Sequence, residues 1–291
     1  MVEKKEAAKQ EVAVKNESGL PAYLQSAQKT TSVGNVNREK LVIPRIKLLQ
    51  GLSPEIETHN DAKQGTFWHT ILEQSFGNEL KFVPVKMRRT FVLWAPRNDE
   101  RGILARASDG LNWDEQYRGL EFKVKPKNHP HEVTYKIGNT VNDRIDGQPA
   151  LSEFGSGIPG DPKSMPAASE TFEWLVLLPD YMDIGPVIIL NARSSWKPSN
   201  LLVSKIEMRP VEHYAQQYIA KAVKDKNMDG EEYWNYQYTA DGYPDEAVYH
   251  RAKELFEYYS KNDFTANDEG DDGVASEGPS RPKGSTSSSR F

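Results

Sequence analysis

Cysteine is absent from this chain of 291 residues. That one absence excludes disulfides, thiolate metal sites, iron–sulfur clusters and cysteine nucleophiles. Long apolar runs are missing as well. No stretch approaches the ~18–20 uninterrupted apolar residues of a membrane-spanning helix. Met1–Gln10 is charged rather than apolar, so no secretory signal is expected, and a soluble intracellular protein is. Hydrophobic residues make up 37% of the chain, enough to build a core for one large domain or two small ones.

An overall excess of positive charge is also lacking, since the formal net charge is −5. The average conceals an asymmetry. Residues 1–140 hold 22 Lys and Arg against 17 Asp and Glu, whereas residues 141–261 hold 12 against 19. A basic front half suits an anionic partner met on one side, which the total charge alone would have argued against.

Residues 1–40 are rich in Lys, Glu, Gln, Ala and Ser, and read as a mostly flexible arm. From Asn262 onward Gly, Ser, Asp and Pro dominate, with an acidic run at Asp268–Asp272, so 262–291 reads as a disordered tail. The folded part is then 41–261. Its pattern predicts strands at Leu41–Leu49, Gly65–Ile71, Leu80–Trp94, Ile103–Ala107, Glu121–Lys127, Phe172–Leu178, Val187–Ala192, Tyr218–Lys224 and Glu232–Thr239. Helices are predicted at Pro198–Ile206 and Asp245–Tyr259. The expected fold is mainly β with a few helices, as an antiparallel barrel with extra hairpins or as a β-sandwich.

Signatures of catalysis are scarce. Gly155-Ser-Gly157-Ile-Pro-Gly160 matches a dinucleotide fingerprint by letter, but Pro159 and Pro162 prevent the helix that would hold the pyrophosphate. Asp180 and Asp183 follow an apolar strand, where a turn is the ordinary reading and a metal-dependent nuclease or hydrolase an outside one. His129 and His131 lack partners at metal-ligand spacing. A non-catalytic protein without cofactor or metal is expected.

Cations and aromatic rings are better organised. In Leu80–Trp94, Val83, Val85, Met87, Phe91 and Leu93 fall on one strand face, and Lys86, Arg88, Thr90 and Trp94 on the other. Arg89 breaks the apolar face, which suggests a bulge or an end of burial nearby. Lys123, Lys125 and Lys127 alternate with Phe122 and Val124. Arg101, Arg106, Trp113 and Arg118 lie in the same basic half, and Trp234, Tyr236 and Tyr238 share a face of a later strand. Cations on strand faces offer charge partners to phosphates, and rings offer stacking platforms to bases. Each grouping also has an ordinary reading, as a solvated face, a lysine-guarded edge or a core strand. Arg193, Trp196 and Lys197 form a smaller basic and aromatic group.

Four segments, Ile43-Pro-Arg-Ile-Lys-Leu-Leu-Gln-Gly-Leu-Ser-Pro54, Lys81–Trp94, Arg106-Ala-Ser-Asp-Gly110 and Gly230-Glu-Glu-Tyr-Trp-Asn235, give the chain a pattern that resembles bacteriophage single-stranded DNA-binding proteins. The resemblance implies an OB-fold core with a mobile acidic tail, and sequence-independent binding of single-stranded DNA during phage replication or recombination in the host cytoplasm. It also implies replication proteins as partners of the tail, although Ser280–Phe291 carries three cations and no acid where that family's tails finish acidic. The binding residues expected on this reading are Lys86, Arg88, Trp94, Arg101, Arg106, Trp113, Arg118, Lys123, Lys125, Lys127 and Trp234. A structural or assembly protein of the virion is the alternative.

Overall fold

The structure, a computed structural model, describes residues 43–96, 99, 101–126, 129–158, 160–226, 230–262 and 264. The expected arm, nearly all of the expected tail, and Lys127 lie outside them. Among the described residues eleven strands run β1 (Arg45–Leu48), β2 (Phe67–His69), β3 (Gln74–Ser75), β4 (Glu79–Trp94), β5 (Ile103–Ala107), β6 (Glu121–Val124), β7 (Val133–Lys136), β8 (Ala168–Leu177), β9 (Pro186–Ala192), β10 (Tyr218–Lys226) and β11 (Glu232–Ala240). Three helices, α1 (Glu55–Thr58), α2 (Trp196–Glu207) and α3 (Glu246–Lys261), accompany them. The mainly β architecture is the expected one. Pairs β6–β7 and β2–β3 use strands, β7 and β3, that the sequence pattern did not mark.

Nine strands form one sheet in the order β11-β10-β4-β8-β9-β1-β2-β3, with β5 added beside β4. Most neighbours are antiparallel, but β1 lies parallel to β9, a departure from the all-antiparallel expectation. The five strands of an OB fold are fewer than this sheet holds. β8 sits near the middle and is buried along most of its length, which is why it reads as a nearly continuous apolar run.

Both faces of the sheet are covered. Alternation in β8 sends Phe172, Trp174 and Val176 to one side, where they meet Leu202 and Ile206 of α2 and the rings of Tyr218, Tyr236 and Tyr238. It sends Leu175 and Leu177 to the other, against Val248, Ala252 and Leu255 of α3. α3 forms where the spacing predicted it: Glu246 favours the positive helix start, and the three buried apolar residues recur at four- and three-residue intervals. Beyond the C-terminal half of β4, β5 and the β6–β7 ribbon close a further core around Trp113.

The sheet curls around the α2 side, and its distant ends meet through side chains. Gln50, just after β1, brackets the backbone of Trp234 on edge strand β11. Its Oε1 accepts the Trp234 amide at 2.8 Å and its Nε2 donates to the Trp234 carbonyl at 2.8 Å. One amide side chain thereby satisfies edge groups that a neighbouring strand would otherwise pair. The Trp234 indole lies flat against Gly65, whose φ of +77° and lack of Cβ allow the approach; a Cβ there would sit 2.6 Å from the ring. Rings of Phe67 and Tyr236 pack 6.0 Å apart across the same seam. Trp234 is therefore partly buried against the core, the ordinary reading of that strand.

His69 pins the turn after β2. Its Nδ1 accepts the amides of Leu72 at 3.0 Å and Ile71 at 3.3 Å. Burial, opposed by backbone hydrogen bonding, holds its pKa below the usual histidine value. Two outcomes follow from these contacts. Gly65→Ala, which forces a side chain into a left-handed conformation and into Trp234, should cost about 1–3 kcal/mol, read from the urea midpoint. The added cost should shrink in a Trp234→Ala background. Because the folded form resists protonating His69, its contribution is complete above about pH 6.5 and is lost as the pH falls below it. Urea midpoints between about pH 7.5 and 5 should therefore fall less in His69→Asn than in the wild type.

Candidate functional site

β4 is bulged, and the bulge places the basic residues. Register against β8 shifts between Pro84 and Lys86, so Val85 is the extra residue. Before it, Val83 and Val85 point to the α3 side. After it, Lys86 and Arg88 point to that same side, while Met87 turns to the α2 side. The sequence placed Val83 and Val85 opposite Lys86 and Arg88. The bulge inverts half of the strand and overturns that arrangement.

The cations do not meet solvent as an open outer face. Glu173 of β8, with its side chain 0% exposed, is held between Arg88 and Arg106. Arg88 Nε donates to Oε2 at 2.6 Å, and Arg106 Nη2 donates to Oε1 at 2.7 Å. Thr90, fully buried, approaches the same carboxylate. Arg88 also stacks on the ring of Phe264, 4.3 Å from its centroid, and Lys86 Nζ donates to the Tyr259 carbonyl at 2.6 Å. The end of α3 and Phe264 thus cap a charged layer on the sheet.

Beside this layer lies a cleft of about 280 Å³. It opens where β4 loses its neighbours: β10 pairs with residues 79–82 and β5 with 91–94, leaving the edge between them without a partner strand among the described residues. His213 Nε2 donates to the Val85 carbonyl across that gap at 2.7 Å. Lys86, Arg88 and Arg118 line the cleft with Ser108, Asn112 and the carboxylates of Asp109 and Asp114. The segment after β5 is shaped by those acids. Asp114 accepts the Ser108 amide and hydroxyl, both at 2.9 Å. Asp109 accepts the amides of Leu111 and Asn112. Desolvation raises the Asp109 pKa, but hydrogen bonds from the Asn112 side chain and these amides outweigh it and leave the pKa low. Gly110, at φ +75°, lets this turn touch β4, since a Cβ there would lie 2.5 Å from the Arg89 carbonyl oxygen.

Residues 10–265 match the Pam3 phage gp34-like protein family. The chain belongs to that family. No curated protein and no solved structure matches it. The family's description names a phage protein and no activity.

Within this family member, the remaining sequence-derived positions divide into two groups. Trp113 forms part of the cleft wall but is 1% exposed and packs into the core beneath, so its indole is not the open surface ring expected. Arg106 is enclosed with Glu173. Trp94 ends β4 after a second register shift and is half-buried. Arg118, Arg101, Lys123 and Lys125 are exposed. Arg118 Nε donates to the Trp113 carbonyl at 2.6 Å. Arg101 pairs with Asp99 and donates to the Lys123 carbonyl at 2.8 Å, which ties the β4–β5 turn to β6. Among the described residues no carboxylate pairs with Lys123 or Lys125. The sequence missed Glu173, Ser108, Asp109, Asn112 and Asp114. A lone acid inside the apolar run Phe172–Leu178 was the available signal for the first.

The other constellations are structural in their contacts. Gly157 backs onto the Met165 carbonyl, where a Cβ would sit 2.3 Å away, and its own carbonyl accepts the Tyr135 hydroxyl at 2.8 Å. Asp180 and Asp183 lie in a 3₁₀ turn between β8 and β9. His129 Nδ1 lies 2.8 Å from the His131 carbonyl. Among the described residues no three His, Asp or Glu side chains gather at metal-ligand distances, and no helix is long and apolar enough to cross a membrane.

Glu173→Gln keeps the shape of the side chain but removes the buried negative charge that two largely enclosed guanidiniums share. It should destabilise the protein by about 3–5 kcal/mol in urea unfolding. A loss below about 1 kcal/mol would mean that the triad behaves like an exposed ion pair.

Proposed function

We propose that this protein is a non-catalytic, sequence-independent single-stranded DNA-binding protein acting in phage replication or recombination. The observation that carries the reading is the distribution of cations that remain exposed. Arg118, Lys123 and Lys125, with Arg101 bound across them, stand on one small lobe beside the cleft that Lys86 lines. Three of these four cations make no ion pair with a described carboxylate, and so keep their full charge for a phosphate backbone. Binding of that kind is dominated by counterion release and is indifferent to sequence.

Arg88 and Arg106 take a different part in this reading. Both are bound to Glu173 and keep only 14% of their side chains exposed, so they hold the lobe against β8 and do not meet phosphate. Arg88→Glu would set a second carboxylate against Glu173 and test folding rather than binding. The cleaner variant combines Arg118→Glu, Lys123→Glu and Lys125→Glu, all at exposed positions.

Labelled oligo-dT titrated at about 50 and 200 mM salt should bind the wild type with an affinity that falls steeply as salt rises. The triple variant should bind at least about tenfold more weakly, with a salt slope shallower by about two to three. Absence of binding by the wild type at low salt, or binding without a salt slope, overturns the reading. Recovery of the protein in purified particles would then favour the virion role.

A further inference from the structure

The expected stacking rings are mostly turned inward, yet one tryptophan is not. Trp68, Trp113 and Trp174 are at most 3% exposed, and Trp94 and Trp234 are half-buried. Trp196 is 45% exposed. It opens α2, directly after Ser195, whose hydroxyl donates to Asn235 Oδ1 at 3.1 Å and so moors the helix start to β11.

The ring is nevertheless held in place. Its indole Nε1 donates to Glu170 Oε2 at 2.5 Å. The other oxygen of Glu170 is taken by the guanidinium of Arg89, which itself lies over the ring of Phe172 at 5.9 Å. Arg89 keeps more than half of its side chain in solvent, and Lys197 beside the ring is exposed. An indole fixed along one edge by a charged relay, with much of its surface open to water, has lost its rotational freedom before any partner arrives. Pre-paid ordering of this sort favours binding. The exposed charge around it is balanced, Arg89 against Glu170 and Lys197 near Asp225, and both cations keep open surface with which to meet an anionic partner.

We propose that Trp196 is a stacking platform for an unpaired nucleic-acid base, with Arg89 and Lys197 as the accompanying phosphate contacts. The proposal rests on the single-stranded DNA reading above and adds a second contact surface to it. Arg88 and Arg89 are consecutive on β4 and project to opposite faces, so this surface is separate from the cleft.

Trp196→Ala and Trp196→Phe should be titrated with oligo-dT alongside the wild type, following both binding and tryptophan emission. Truncation to Ala should weaken binding about tenfold while leaving the salt slope unchanged, because stacking releases no counterions. Phe should retain most of the affinity, and the emission quenched by DNA in the wild type should be largely lost in both variants. Thermal unfolding should match the wild type, since the ring lies outside the core. Should Trp196→Ala not fold, acrylamide quenching of the wild type decides: bound oligo-dT shields an exposed indole only if it covers Trp196. Wild-type-like affinity in Trp196→Ala, or no shielding, overturns this assignment while the wider reading stands, and marks the ring as a protein contact. A wild type that binds no oligonucleotide overturns both.

Discussion

A carboxylate with no access to solvent has to be neutralised, and Glu173 sits in the middle of the sheet with each oxygen taken by a different arginine. Desolvating an ion without a partner costs several kcal/mol, so this requirement ties together β8, which carries the acid, and β4 and β5, which carry the bases. The cleft exists because those strands are held together at their charged layer while β10 and β5 part company along the β4 edge. Phe264 and the end of α3 then cover Arg88 and Lys86. Much of the basic character of the front half is thus consumed in building the molecule, and only what is left over can meet a ligand.

The bulge at Val85 decides which side receives that layer. Without it, alternation would carry Lys86 and Arg88 to the side opposite Val83 and Val85, where Phe172 and Trp174 pack. With it, both kinds of residue share the α3 face, apolar at one end and charged at the other. Curling of the sheet is a second constraint, met by Gln50 and by the absence of a side chain at Gly65. These devices leave Trp234 in a seam and Tyr236 and Tyr238 in the interior, opposite the small Ala222 and Ala220 that make room for them.

Legibility in the sequence followed the range of the interactions concerned. Strand Ile103–Ala107 was readable to the residue, and α3 to within two, because hydrophobic period and helix-start chemistry are local. β3 and β7 were missed; β3 has only two residues, and β7 follows directly on the His- and Pro-containing segment after β6. The basic residues of the site were readable as a set, but their division into structural and exposed members was not. Nothing local distinguishes Arg106, which meets a carboxylate 67 positions away, from Arg118. The same holds for the rings: Trp113 in the core and Trp196 at the surface stand in equally unremarkable surroundings.

By itself the sequence determined the class of fold, the approximate positions of its main elements, the exclusion of thiol chemistry and the unequal distribution of charge, since composition and short periodicities suffice for these. Tertiary structure alone decided which strand face each cation occupies, which arginines are tied to Glu173 and which tryptophan faces solvent. The physical reason is that alternation separates two faces of a strand without saying what covers either. One inserted residue exchanges them, and burial depends on partners brought together from distant parts of the chain.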